Sequence, residues 1–143
     1  MKLYLMQHGR PVAKEEDPDR PLSDQGKKDV DKMADVLNKH GVRVEEAFHS
    51  GKTRARQTAE IMISKLNPSL AVVQRDELSP LDDVKHIANH IKEAKQDLLI
   101  AGHLPHLRKL ASLLITGSES FPVVSFRQGG VVSSDPFPFL LIS

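Results

Sequence analysis

Two histidines, His8 and His103, each stand just past an apolar run of strand length. Residues 2–6 lead into Gln7-His8-Gly9, and residues 98–101 lead into Gly102-His103. Between them, Ser50-Gly-Lys-Thr-Arg54-Ala-Arg-Gln57-Thr58-Ala59 reads as a third strand end entering a helix. Parallel α/β sheets bind ligands outside the carboxyl ends of their strands, so these three segments can meet in one crevice. An imidazole with an unperturbed pKa of about 6.5 is largely neutral near pH 7 and can attack phosphorus without a separate base. The attacking nitrogen must then be unprotonated, and the other should donate, for example to a main-chain carbonyl. Gly9 allows a tight turn after the strand and close backbone approach to an anion. Arg54, near a helix start, would join a planar fork of donors to the positive end of the helix dipole, a setting that suits a phosphoryl group. His103 could hold the same group from the opposite side, with a charge-assisted hydrogen bond if protonated. Each residue taken singly has an ordinary explanation: a turn histidine, a solvated basic stretch, and a satisfied core histidine. The orientation of His106, at the start of the following helix, stays undecided at this level.

The pattern of apolar residues supplies the elements that must position these groups. Residues 2–7, 44–49, 70–74 and 98–101 have strand length and composition. Ser23 is placed to cap a helix over residues 24–40 that Gly41 ends, with Val30, Met33, Ala34 and Leu37 on its buried face. Further helices are expected over 53–66, halted by Asn67-Pro68, over 82–94, and over 105–115 with Pro105 in the first turn. In the tail, 123–127, 131–134 and 139–142 read as strands, with Gly129-Gly130 and Asp135-Pro136 as turns. Strands alternating with helices give an α/β fold, a three-layer α/β/α arrangement with a mostly parallel central sheet and antiparallel C-terminal edge strands. With no repeat or linker in view, residues 1–143 are expected to form one domain.

Composition narrows the function. A chain of 143 residues can bury roughly two-thirds of its unfolded surface. A formal net charge of +1 argues against nucleic-acid binding through bulk charge. The absence of cysteine excludes disulfides and thiolate metal sites. Neither a signal-peptide pattern nor an apolar run of the ~20 residues that span a membrane is present, so a soluble cytoplasmic protein is the expectation. The low aromatic content offers no obvious interface patch, which makes a monomer the default.

Together the fragments resemble the histidine phosphatase superfamily, also called phosphoglycerate-mutase-like, and within it the small phosphohistidine phosphatases. The strand with His8-Gly9 is similar to the family's Arg-His-Gly motif. Arg20-Pro-Leu-Ser23 with Gly26 is similar to the segment opening its first helix. Residues 50–59 match its Ser-x-x-x-Arg-Ala-x-Gln-Thr-Ala signature, and residues 101–105 its Val-Gly-His-x-Pro segment. Four ordered matches over nearly the whole chain are more specific than any one. The resemblance implies that His8 is the phosphorylated nucleophile, that Arg54 and His103 hold the phosphoryl oxygens, and that no cofactor or metal takes part. It also implies a phosphohistidine-bearing protein as partner, for instance a histidine phosphotransfer domain, with inorganic phosphate as product.

Two departures from the family pattern matter. The first arginine of the family motif is Gln7 here, which keeps two N–H donors but no charge. Hydrogen bonds to charged groups contribute roughly 1.5–3 kcal/mol, so Gln7 could weaken transition-state binding. Arg10 could reach back to replace the charge, or simply face solvent. Many relatives that act on phosphate esters carry a Leu-x-Glu general acid, where this chain has Leu78-Ser79-Pro80. An alkoxide leaves poorly without a general acid, whereas a protonated imidazole leaves readily, so the proline fits P–N cleavage better than P–O cleavage. Asp82 or Asp83 could serve as substitute acid, or act only as N-terminal charges of the next helix. The absence of a long insertion after the second or third strand implies an open, shallow site.

Rival readings are a phosphomonoesterase or mutase of small esters using Asp82 or Asp83, and a phosphohistidine-binding module weakened by Gln7. His86-Ile-Ala-Asn-His90 lacks the glutamate of the His-Glu-x-x-His zinc motif, and both histidines fall opposite the apolar stripe, facing solvent. No phosphate loop or dinucleotide fingerprint supports a kinase or dehydrogenase.

Overall fold

The first strand, β1 (Leu3–Gln7), shows in five residues how the sheet is covered. Leu3 and Leu5 join one core cluster, whereas Tyr4 and Met6 join another on the opposite face, as the two-residue period of a strand requires. The structure, a computed structural model, describes residues 1–134 and 140–142. The remaining strands are β2 (Glu46–His49), β3 (Val73–Gln74), β4 (Leu98–Gly102), β5 (Val131–Ser133) and β6 (Leu140–Ile142). Their order across the sheet is β3-β2-β4-β1-β5-β6. The first four run parallel, and β5 and β6 add antiparallel to β1 and to each other. β4 is central and buried along its length. Full burial of each of Leu98, Leu99 and Ile100 contributes about 1.5–3 kcal/mol, which explains why its apolar run is unbroken.

Helices α1 (Asp24–Lys39) and α2 (Thr53–Leu66) cover one face, and α3 (Lys85–Glu93) and α4 (His106–Thr116) the other. This is the expected three-layer α/β/α fold. Ser23 caps α1 by accepting the Gly26 N–H at 3.0 Å, and Gly41 closes the helix with φ of 75°. None of the helices among the described residues is long and apolar enough to cross a membrane.

Three expectations need correction. Residues 123–127 form no strand. The open edge of β1 is taken by β5, so this segment instead lays Val124 and Phe126 against the α3/α4 core without a ladder. β3 shortens to Val73–Gln74, because Leu70 and Val72 pack on the α1/α2 cluster. α3 begins at Lys85 rather than at residue 82, because the preceding carboxylates hold turns. Asp82 Oδ2 accepts the Ser79 N–H at 2.9 Å, and Asp83 Oδ1 accepts the Lys85 N–H at 2.9 Å. The expected Asp135-Pro136 turn and Phe139 lie outside the described residues.

Candidate active site

β1, β2 and β4 end side by side, since Gln7 pairs with Gly102 and His49 with Ala101. The residue after each end is therefore His8, Ser50 and His103. The His8 N–H donates to the Gly102 carbonyl at 3.0 Å, locking the first of these to the third strand. The His8 and His103 rings stand with centroids 5.1 Å apart and planes inclined at 51°.

His8 Nδ1 lies 2.7 Å from the Gly9 carbonyl oxygen. A carbonyl only accepts, so Nδ1 carries the proton and Nε2 keeps its lone pair. Burial pushes the His8 pKa below its ordinary value; the Gly9 carbonyl opposes this, and the charges of Arg54 and Arg20 add to the lowering. The lowered pKa favours the neutral ring, with its lone pair on Nε2.

Gly9 is needed for a tighter reason than anion approach. A Cβ there would sit 2.7 Å from Val30 Cγ2 and 3.2 Å from the Gly26 carbonyl oxygen. Its N–H donates to Thr58 Oγ1 at 3.0 Å, and that hydroxyl donates to the Arg54 carbonyl at 2.7 Å. Two more bonds tie α2 to the segment before α1: Thr53 Oγ1 to Asp19 at 2.7 Å, and the Leu22 N–H to Gln57 Oε1 at 2.7 Å. The first turns of α2 are thereby fixed against the His8 loop.

Arg54 is half-buried in the first turn of α2, and its Nε is buried without a protein partner. Burial and the nearby Arg20 lower its pKa while Asp19 opposes them, yet a guanidinium stays charged. His103 is 1% exposed and its Nε2 lies 2.6 Å from Ser50 Oγ, which leaves Nδ1 without a partner. Burial first, then His8 and the charges of Arg54 and Lys52, push its pKa down to about 3. His103 is therefore neutral near pH 7. Burying polar donors without acceptors costs about 1–3 kcal/mol each, so the Arg54 and His103 orphans favour an acceptor-rich anion.

The other expected residues are distributed unevenly. Gln7 ends β1 half-buried, and its carbonyl accepts the Gly129 N–H at 3.1 Å. Arg10 is exposed and serves through its backbone: its carbonyl accepts the Ser23 N–H at 2.9 Å and the Ser23 hydroxyl at 3.0 Å. Asp82 and Asp83 sit in the turn before α3 and act electrostatically on His106. His106 is 1% exposed; neither ring nitrogen meets strict hydrogen-bond geometry, although the Glu77 main chain lies close enough to favour the protonated ring. His86 is exposed, but His90 is not simply solvent-facing: its ring packs edge-on to Phe48 at 5.2 Å and its Nε2 lies 3.4 Å from Glu46 Oε2. Among the described residues, no three His, Asp or Glu side chains are grouped to hold a metal ion.

Three residues of this site carry no role at the level of sequence: Ser50, Thr58 and Arg20. All three lie inside the recognised motifs, but only the fold shows what they touch. Arg20 adopts a left-handed φ of 49° and donates from Nε to the Val12 carbonyl at 3.2 Å. Its charge bears on both His8 and Arg54.

Residues 3–97 match the family model of the histidine phosphatase superfamily, branch 1. The chain belongs to that superfamily. It is 30% identical over 140 residues to an uncharacterised protein of Picosynechococcus sp., covering 92% of this chain and 83% of that one. Its structure is similar to that of the protein histidine phosphatase SixA complexed with tungstate, with a TM-score of 0.86 and 26% identity over 100% of this chain and 97% of the other. The same fold recurs in the alpha-ribazole phosphatase from Shigella flexneri, with a TM-score of 0.74 and 19% identity over 93% of this chain and 89% of that one. Phosphoglycerate mutase from Bacillus anthracis shares it too, with a TM-score of 0.72 and 13% identity over 93% and 86%. Membership of this superfamily implies phosphatase activity.

Proposed function

We propose that this superfamily member is a metal-independent phosphohistidine phosphatase with His8 as nucleophile. The observation that carries the reading is a His8 ring with its lone pair on Nε2, 5.1 Å from the His103 ring, where His103 Nδ1 and Arg54 Nε are buried and unpartnered and the Arg54 charge acts on both histidines. That set supplies an attacking atom and donors for the phosphoryl oxygens.

In the proposed reaction His8 Nε2 attacks the phosphorus of a substrate phosphohistidine. The new N–P bond forms as the substrate's P–N bond breaks, and the departing imidazole leaves as a neutral ring once protonated. Water then attacks phospho-His8, returning the neutral histidine and releasing inorganic phosphate. Arg54, with Arg20 nearby, balances the charge of the transferring group. Pro80 in place of a family glutamate supports P–N over P–O cleavage, because a protonated imidazole needs less help to leave than an alkoxide. The likeness to a protein histidine phosphatase supports a protein-borne substrate.

The test is incubation with ³²P-labelled phosphoramidate, comparing wild type with His8→Ala under a quench that spares acid-labile phosphate. Label on the wild-type chain alone, with phosphate released only by wild type, is expected. Faster turnover of small phosphate esters than of phosphoramidate would replace the reading by a phosphomonoesterase. Binding without a phospho-enzyme or turnover would replace it by a binding module.

A further inference from the structure

The arginines of this chain divide into a set paired with glutamates and, among the described residues, a set without a carboxylate partner, and Arg56 and Arg75 of the paired set also stand near strand ends. Arg43, Arg56 and Arg75 each lie beside a glutamate: Glu45 at 3.3 Å, Glu60 at 2.9 Å, and Glu77, whose Oε1 accepts from Arg75 Nε at 2.7 Å. Arg10, Arg20, Arg54, Arg108 and Arg127 have no carboxylate at ion-pair distance among the described residues, and all of these stand at the carboxyl end of the parallel strands. Arg54 and Arg20 face the catalytic pair. The others form an outer arc: Arg10 follows His8 and Gly9, Arg108 lies in the first turn of α4, and Arg127 precedes the turn whose Gly129 N–H bonds to the Gln7 carbonyl. All of this arc is exposed.

The opposite rim carries the other sign. Beyond β3, Asp76, Glu77, Asp82 and Asp83 line an open cleft of about 660 Å³ together with Arg75 and His86, so that carboxylates are in excess there although Arg75 offsets Glu77. Since the sheet order runs from β3 through β2, β4 and β1 to β5, the rim changes from acidic to basic across the sheet, with His8 and His103 between. Next to His103, a smaller cleft of about 200 Å³ is lined by Leu104, Arg108, Pro122, Val124, Ser125 and Phe126. Of these, Arg108 and Phe126 are of the residue types enriched at protein interfaces.

We infer that this rim is a two-signed docking surface that orients a phosphohistidine-bearing protein. The partner's acidic flank lies over Arg10, Arg108 and Arg127, its basic flank over Asp76 and its neighbours, and an apolar side chain enters the Leu104–Phe126 cleft. This rests on the proposed phosphohistidine substrate. A nucleic acid fits less well, because a continuous polyanion crossing the site would run into the carboxylates beyond β3. Charge patterns of this kind set orientation and association rate more than bulk affinity.

The test uses two synthetic phosphohistidine peptides with the same apolar core, one flanked by glutamates and one by lysines, each on a single side, together with their stable phosphonate analogues. Phosphoramidate serves as the small substrate. Arg108→Glu with Arg127→Glu should lower kcat/KM for the glutamate-flanked peptide at least tenfold and weaken its analogue's binding in parallel. Phosphoramidate turnover should stay within twofold, which also shows that the variant folds. Asp76→Lys should weaken only the lysine-flanked peptide. Peptide kcat/KM and analogue binding that ignore the charge reversals would overturn the inference. Inhibition by a single-stranded oligonucleotide at concentrations where polyglutamate has no effect would overturn it in favour of nucleic acid. Loss of phosphoramidate turnover in wild type with charge-dependent analogue binding intact would overturn the catalytic reading while supporting the docking surface.

Discussion

Ser50 Oγ lies 2.6 Å from His103 Nε2, and this buried contact decides which nitrogen of the ring faces the site. The same oxygen accepts the Lys52 N–H at 3.3 Å. With the Ser50 proton given to Nε2, the ring proton stands on Nδ1, the nitrogen without a protein partner. Ser50 is thus a positioning residue, acting through His103. Ser50→Ala should lower kcat for phosphoramidate by roughly 10- to 100-fold, taking the scale on which loss of a hydrogen bond that orients a metal-ligating histidine acts. KM should move little, and Ser50→Thr, which keeps the hydroxyl, should recover most of the rate. Equal kcat for wild type and Ser50→Ala in steady-state assays would remove the role.

Acid should weaken the fold through His103. Its pKa is about 3 in the folded chain and 6.5 when exposed, so between these values the unfolded chain binds the proton more readily. The full stability of the neutral ring is present above pH 6.5 and falls as pH drops towards 3. The scale is on the order of a few kcal/mol, because a tenfold difference in proton affinity between the folded and unfolded chains corresponds to about 1.4 kcal/mol. Replacing His103 with Gln should flatten the dependence of urea-melting free energy on pH in this window. Tungstate or phosphate bound between Arg54 and His103 should also protect wild type there, because an anion favours the protonated ring.

Much of this fold was legible because local signals agreed with burial. The Ser23 cap, the α1 stripe of Val30, Met33, Ala34 and Leu37, and the apolar run of β4 each name an element in the sequence and occupy it in space. Residues 123–127 mislead because alternation reports one buried face and says nothing of a hydrogen-bonding partner, which β5 had already taken. At the site, His8, Arg54 and His103 are legible as residue types at strand and helix ends. The roles of Ser50, Thr58 and Arg20 are not, since each depends on a contact between segments far apart in the chain, such as Gly9 with Thr58.

Arg20 should carry part of the charge that Gln7 lacks. It acts on both His8 and Arg54, whereas Arg10 is exposed and used through its backbone. A charge-assisted hydrogen bond of roughly 1.5–3 kcal/mol corresponds to about 10- to 100-fold in rate. Arg20→Ala should lose that much kcat/KM for phosphoramidate, and Gln7→Arg added to it should regain a part. Arg10→Ala should leave phosphoramidate turnover within twofold. A larger loss from Arg10→Ala than from Arg20→Ala would reverse the assignment.

Gly26 should tolerate no side chain. A Cβ there would lie 2.1 Å from the Arg10 carbonyl oxygen, and that atom is backbone already held by two bonds from Ser23. Relief would require moving α1 away from the loop that carries His8 and Gly9, so stability and activity should fall together. Gly26→Ala should therefore cost more than the roughly 1–3 kcal/mol usual for an overpacked site. Equilibrium urea unfolding gives the number, and a loss smaller than that range would show that the loop adapts.

His106 should be a burden on the fold rather than a support. Its ring is 1% exposed, and neither nitrogen has a protein partner at hydrogen-bonding geometry. Burial pushes its pKa down, with the Glu77 main chain, Asp82 and Asp83 opposing and Lys109 adding to the lowering. An unpaired buried imidazole costs about 1–3 kcal/mol, the Glu77 main chain offsets only part of that because it is off hydrogen-bonding geometry, and an apolar side chain of similar volume removes the rest. His106 begins α4 beside Leu107, within the α3/α4 core, where leucine also suits the helix. His106→Leu should raise the thermal midpoint by several degrees, in line with a gain of about 1 kcal/mol in a chain of this size. If His106 instead passes protons between Asp82 and the leaving group, the same variant would gain stability yet lose kcat for phosphoramidate. Calorimetry and a pH–rate profile on one preparation separate the two. A lowered midpoint with unchanged kcat would show that the ring fills its pocket better than leucine can.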